Sequence, residues 1–471
     1  MASAPASTAK ALLFSPEEIR ELALRVPTPF HVYDAETIRR RCTDLSTAFS
    51  WVKERSGFFR NFFAVKALPN PHVLALLAQL PSMGVDCSSL PELVLSAAAG
   101  FEGERIFFTS NNTPLEEFRE AKRLGAVINL DDLSHLFFLE ERLGLPAVLA
   151  FRFNPGKSRQ GSVFIGEPED AKYGLTEGQI LQGLKYAKEK GVTRFFLHTM
   201  VASNCLDSAE LVKTAAMMFS LAVKVKQELD IDIELLNLGG GFGIPYRPEQ
   251  APLNLTDISA GIRDAYETTL EANGLGKTKV AFECGRFITG PAGQLITRVI
   301  HQKKTYKNYI GVDACMADLM RPGMYGAYHH ITVVADRDAE RADLPTARNL
   351  FADADAADGL QKGVYDVVGG LCENNDKFAI GRELGEVHIG DLLVIHDTGA
   401  HGHCMGFNYN GKLRSAEFLR TGAGSYKEIR RREALSDLFA TLDFPALTAL
   451  LREADEKANG ERPPKRSRGH D

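Results

Sequence analysis

The sequence predicts an α/β fold: a (β/α)8 barrel followed by a second, mainly β domain. Three observations carry this. Eight short apolar runs, rich in Phe, Val and Ile, recur between residues 61 and 284. Amphipathic helical patterns alternate with them. After Phe287 the helical patterns thin out and turn-rich apolar runs take over. Eight strand–helix units in roughly 250 residues is the size of a closed barrel. A doubly wound open sheet is the structural alternative, because its buried parallel strands carry the same pattern.

The elements follow in chain order. Residues 1–29 read as an N-terminal segment packing with the β domain, and the first ten, MASAPASTAK, as exposed chain. The barrel is assigned residues 30–290. Its strands are NFFAVK, GVDCSS, RIFFTS, AVINLD, AVLAFRF, RFFLHTM, ELLNLG and KVAFEC. Helical stretches such as PHVLALLAQL, PLEEFREAKRLG and SAELVKTAAMMFSLAVKVKQELD lie between them. Pro69, Pro91 and Pro114 stand at or near helix starts, where a missing N–H is harmless. The β domain is assigned residues 291–455, on the runs NYIGVDA, HHITVVA, GVYDVVGG and DLLVIHDTG. Residues 335–359, acidic and Ala-rich, read as a surface insertion. Residues 456–471, polar, Pro-broken and partly basic, read as a flexible tail.

Composition excludes several classes. The 471 residues are 44% hydrophobic and 25% charged, ordinary for a globular protein. A net charge of −6 argues against general nucleic-acid binding. No apolar run approaches the roughly 18 residues of a membrane span. Seven scattered cysteines without a CxxC pair support neither a zinc site nor a disulfide framework, and no other cluster has metal-ligand spacing. A reducing cytoplasm is the simplest home.

In a barrel, chemistry collects at the C-terminal strand ends. Those positions hold Lys66, Ser88, Ser110, Asn111, Asn129, Arg152, Asn154, Ser203, Gly239–Gly241, Glu283 and Arg286. This is the inventory for a phosphorylated cofactor that forms an imine. Lys66 ends an apolar strand, and burial there favours the free amine that attacks a carbonyl. A strand-end lysine reaching solvent is the plain alternative. The glycines of GGGFG let backbone N–H groups approach an anion, though a tight turn uses the same residues. In ECGR, Glu283 can keep a pyridine nitrogen protonated and Arg286 can bind phosphate; a local ion pair is the other reading. Cys372 and Glu373 place a thiol and a carboxylate in the β region.

Taken together, FAVKA with PNP, GGGFGIPY, ECGR, RPGMYGAYHHI, GGLCENND and HDTGAHG with NYNGKLR resemble the pyridoxal-phosphate-dependent decarboxylases of the alanine-racemase-like fold (fold type III). The diaminopimelate decarboxylases are the nearest branch, and the similarity spans roughly residues 27–420. The resemblance implies pyridoxal 5'-phosphate as cofactor, a small amino-acid substrate, and a head-to-tail homodimer with shared sites. By position it implies that Lys66 bonds the cofactor. Ser203, Gly240 and Gly241 hold its phosphate, Gly285 also binds the cofactor, Met200 and His401 flank it, and Glu283 meets its ring nitrogen. Arg286, Arg321, Tyr325 and His401 bind substrate. Cys372, given by the partner subunit, protonates the carbanion, and Glu373 recognises the distal amino group.

Four positions depart from the family pattern. Met200 stands where a stacking histidine is usual, and His401 where a tyrosine is. Cys284 replaces proline, and CENND replaces CESGD. His198, two residues before Met200, points to the same side of the strand. The expected reaction is decarboxylation of meso-diaminopimelate to lysine. The rival substrate is a D-configured basic amino acid such as D-ornithine or D-lysine. A catalytically impaired, cofactor-binding regulatory protein and an amino-acid racemase are the alternatives of other classes.

Overall fold

The computed structural model describes residues 10–158, 167–336 and 361–451 except 449. Most of the acidic insertion and the whole basic tail lie outside them. The chain opens with helix α1 (Pro16–Arg25), capped by a reciprocal Ser15–Glu18 pair, and strand β1 (Phe30–Asp34). Eight parallel strands then close a barrel: β2 (Phe59–Ala64), β3 (Met83–Cys87), β4 (Ile106–Thr109), β5 (Val127–Leu130), β6 (Val148–Phe153), β7 (Arg194–Thr199), β8 (Ile233–Asn237) and β9 (Lys279–Phe282). The expected barrel, not the open sheet, is therefore the fold. Its closure is the parallel pairing of β9 with β2, Phe59 opposite Val280. Buried Asn61 staples this seam: its amide donates to the Cys284 carbonyl at 3.1 Å and accepts from the Cys284 N–H at 2.8 Å.

Strand alternation explains where the chemistry sits. An apolar layer fills the barrel interior with Phe62, Phe107, Val127, Ala150, Phe196, Leu235 and Ala281. Side chains two residues on share that face, and there the sequence turns polar: Thr109, Asn129, Arg152, His198, Asn237 and Glu283. In β3, Gly84 leaves its space to the Phe62 ring, and Asp86 follows two residues later. The barrel is thus apolar in its middle and polar toward its C-terminal mouth.

The second domain is a nine-stranded sheet. After β1 its strands are β10 (Gly293–Lys304), β11 (Asn308–Val312), β12 (Ile331–Val334), β13 (Val364–Val368), β14 (Lys377–Glu383), β15 (Leu392–Ile395), β16 (Ala416–Gly422) and β17 (Ser425–Arg430). One assignment needs correction. Residues 30–34, read as the start of the barrel, belong to this sheet, where β1 runs antiparallel to β10 and parallel to β16. The reason is burial: all five residues of β1 are covered, and Phe30 and Val32 join a core with Phe14, Ile19, Ile296, Val394 and Phe418. Among the described residues no helix is long and apolar enough to cross a membrane.

Candidate active site

The barrel mouth and the β domain enclose a cleft of about 440 Å³. The barrel contributes Lys66, Asp86, Arg152, His198, Met200, Ser203, Glu283 and Arg286; the β domain adds Arg321, Tyr325 and His401. The two halves are tied directly beneath the lysine: the His401 N–H donates to the Ala67 carbonyl at 2.9 Å.

Lys66 sits in a single 3-10 turn, Val65–Ala67, at the end of β2. Its neighbours Val65 and Ala67 are buried, but Lys66 itself is exposed. The expectation of a buried lysine is therefore corrected: the turn lifts the amine out of the strand and into the open cleft. It lies in the field of Asp86, Glu92, Glu283 and His401.

Glu283 is held by a chain of side chains in the polar layer. Asn237 donates to one carboxylate oxygen at 2.7 Å, and His198 Nε2 lies 3.2 Å from the other. Asn129 donates to His198 Nδ1 at 3.0 Å, which leaves the ring proton on Nε2, aimed at Glu283. Burial pushes the Glu283 carboxyl up, but His198, Lys66 and Asn237 outweigh burial and hold it below its usual range. Asp86 is the opposite case. Burial, reinforced by the Glu283 charge, pushes its carboxyl well above the usual range. The two buried carboxyls are thus pushed in opposite directions. The Oδ1 atom of Asp86 is buried without a partner. Both ring nitrogens of His198 are therefore engaged, one with Asn129 and the other with Glu283.

Met200 lines the cleft, and its Sδ accepts the Gly240 N–H at 3.2 Å. The glycine turn itself is packed against backbone. A Cβ on Gly239 (φ +71°) would lie 2.2 Å from the Thr199 carbonyl, and one on Gly241 (φ +93°) 2.7 Å from the Ala202 carbonyl. Gly240, Gly241 and Gly285 lie behind the cleft and are not among its lining residues.

In the same cleft, Arg286 and Arg321 converge on one phenol. The Tyr246 hydroxyl accepts from Arg286 Nη1 at 2.6 Å and from Arg321 Nη1 at 2.9 Å. Among the described residues no carboxylate pairs with either guanidinium. His401 faces them in a left-handed backbone conformation, φ 55°. Burial beside Arg286, Arg321 and Lys66 holds its imidazole well below the usual value, so it is neutral. Neutral His401 adds no negative charge that would discharge the arginines.

The predicted residues thus divide. Lys66, Met200, Ser203, Glu283, Arg286, Arg321, Tyr325 and His401 meet in one cleft. Cys372 and Glu373 do not: both are exposed in the β domain, where Cys372 Sγ lies 3.3 Å from the Tyr409 hydroxyl. Sequence reasoning missed Asp86, Tyr173 and Tyr246. A carboxylate inside the buried run GVDC was a usable signal for Asp86. Among the described residues, no group of three His, Cys, Asp or Glu side chains is arranged to hold a metal.

The residues present fit pyridoxal phosphate. They supply an accessible amine, an ionised carboxylate for a ring nitrogen, a buried carboxyl oxygen still lacking a partner, and unneutralised guanidiniums for anionic groups. Residues 35–290 match the family model described as "Pyridoxal-dependent decarboxylase, pyridoxal binding domain". The chain belongs to the pyridoxal-dependent decarboxylase family. Its cofactor is pyridoxal phosphate and its reaction class is carboxy-lyase. Protein TabA of Pseudomonas amygdali pv. tabaci is 41% identical over 417 residues, covering 88% of this chain and 91% of that protein. The diaminopimelate decarboxylase of Methanothermobacter thermautotrophicus is 34% identical, covering 92% and 96%. The crystal structure of the M. jannaschii diaminopimelate decarboxylase in co-complex with L-lysine superposes with a TM-score of 0.79. It is 30% identical, with 91% of this chain and 95% of that one covered.

Proposed function

We propose that this decarboxylase takes meso-diaminopimelate and releases L-lysine and carbon dioxide. One observation carries the reading: Arg286 and Arg321 face the cleft as a guanidinium pair without a carboxylate partner among the described residues. A substrate with a second carboxylate supplies the missing charge. D-ornithine and D-lysine, the rival substrates, lack that group.

Bound pyridoxal phosphate supplies the sink for the electron pair left on Cα when the carboxylate departs. The chain's own groups do the rest. Lys66 offers the amine that holds the cofactor and is freed when substrate binds. Ser203 meets the phosphate, beside the glycine turn. Glu283, kept ionised by His198 and Asn237, holds a proton on the ring nitrogen. Met200 and His401 flank the ring. Arg286, Arg321 and Tyr325 bind the distal carboxylate. Cys372 gives its thiol proton to Cα, and Glu373 receives the distal ammonium. Neither Cys372 nor Glu373 lines the cleft of its own chain, which supports a homodimer in which each subunit completes the other's site. All seven cysteines are free, in keeping with a reducing cytoplasm.

The test is carbon dioxide release by the cofactor-loaded protein with meso-diaminopimelate, with L-lysine identified as product. No release overturns the reading. The shared site is tested by mixing Lys66→Ala with Cys372→Ala protein. Hybrid dimers regain activity if the site is shared. If hybrids form and stay inactive, it is not.

A further inference from the structure

Tyr246 lies six residues past Gly240, buried behind the cleft wall. Its hydroxyl accepts from both Arg286 and Arg321, at 2.6 and 2.9 Å. Its ring lies 4.8 Å from the Arg321 guanidinium carbon and packs edge-on against His329, with centroids 5.1 Å apart. His329 is a second neutral acceptor. Its Nδ1 donates to the His396 carbonyl at 2.8 Å, which leaves Nε2 to accept from Arg321 Nη1 at 3.0 Å. Burial and the charge of Arg321 keep His329 well below its usual value. The segment carrying Tyr246 is itself anchored: Lys10 Nζ donates to the Pro245 carbonyl at 2.5 Å and pairs with Asp397.

Two guanidiniums this close repel, and repulsion separates them unless something holds them. A carboxylate would hold them, but it would also cancel the charge that draws an anion. A phenol holds them without cancelling it: its oxygen has two lone pairs, one for each donor, and carries no charge. The energetic logic is preorganisation. The spacing of the donors is set before substrate arrives, so ordering them costs little on binding.

We propose that Tyr246 is a positioning residue that sets specificity. It keeps Arg286 and Arg321 convergent and without a directly paired carboxylate, Asp397 acting on Arg321 only at longer range, so that the cleft selects amino acids bearing an additional carboxylate. The inference rests on the substrate reading above, and the test separates the two. Tyr246→Phe removes the oxygen and keeps the ring. The probe is pimelate, a seven-carbon dicarboxylate without amino groups, titrated calorimetrically into the cofactor-loaded protein. Pimelate affinity is expected to fall roughly tenfold in Tyr246→Phe, and KM for meso-diaminopimelate to rise by a similar factor while kcat falls less. Tyr246→Glu, which cancels one of the pair's two charges, is expected to lose roughly a hundredfold in pimelate affinity although it restores an oxygen acceptor. Unchanged pimelate affinity in Tyr246→Phe overturns the proposal. So does a loss in Tyr246→Glu no larger than that in Tyr246→Phe, since hydrogen bonding rather than retained charge would then explain it. Wild-type protein that binds pimelate but releases no carbon dioxide from meso-diaminopimelate overturns the substrate reading alone, because the calorimetric series needs no turnover.

Discussion

Glu417 locks the β domain to the barrel, and the lock has a pH signature. The residue is 1% exposed. Its carboxylate accepts from the Tyr33 hydroxyl at 2.7 Å, from Asn70 of the barrel at 3.3 Å, and from Arg430 Nε. Burial alone would raise its pKa, but His403, Arg430 and Tyr33 outweigh burial and bring it down to about 2. His403 is itself held down to about 4, so at pH 7 the positive charge offsetting burial is that of Arg430. From an ordinary value of 4.5 the shift corresponds to about 3 kcal/mol. The half-exposed Arg430, screened by solvent, lowers the expected contribution to about 2 kcal/mol. A folded-state pKa below the unfolded one means stability present above pH ~4.5 and lost as pH falls toward ~2. Glu417→Gln keeps the shape and removes the charge. Unfolding entropy for 471 residues is about 1 kcal/mol/K, so the variant should melt about 2 °C lower at pH 7. Calorimetric melting of both proteins between pH 7 and 3 checks this. The gap should be constant above pH 5 and shrink below it. A gap that is zero at pH 7, or that persists undiminished at pH 3, refutes the reasoning.

Other outcomes follow from the same site. Asp86 has a folded pKa above its unfolded one, so its contribution is present below pH ~4 and lost as pH rises. Asp86→Asn should therefore be more stable than wild type at pH 7 and not at pH 4, by denaturant unfolding. Met200→Leu leaves the Gly240 N–H without its acceptor and should cost about 1 kcal/mol of unfolding free energy. His198→Phe removes the donor facing Glu283. The Glu283 carboxyl then rises, and the pH midpoint of the bound cofactor's absorption change should move upward.

Much of this fold was legible because the barrel strands are buried on both faces and therefore appear as apolar runs. All eight were readable, as were most of the polar strand ends, Asp86 of β3 excepted. Closure was not, since it depends on β2 meeting β9 across 220 residues, Phe59 to Val280, and local pattern is silent about that. Two sheet strands that the sequence reading did not name, β14 and β17, have a physical reason too. In β17 only Ile429 is buried, and β14 turns outward after Ala379, so neither shows a strong alternation. Within the site, Lys66, Glu283 and Arg286 were legible from position and chemistry. Tyr246 was not, because its partners stand 40 and 75 residues away and only the folded chain brings them to one oxygen. Cys372 is legible as a thiol between glycines and acids, but it is exposed and does not line the cleft of its own chain.

The most direct measurement is a competition. The cofactor-loaded protein is given equal concentrations of meso-diaminopimelate and D-lysine, and L-lysine and cadaverine are quantified together. Buried donors left unmet by the lesser substrate should give L-lysine an excess of about a hundredfold or more. Cadaverine equal to or above L-lysine would contradict the account, because an unneutralised arginine pair would then select nothing.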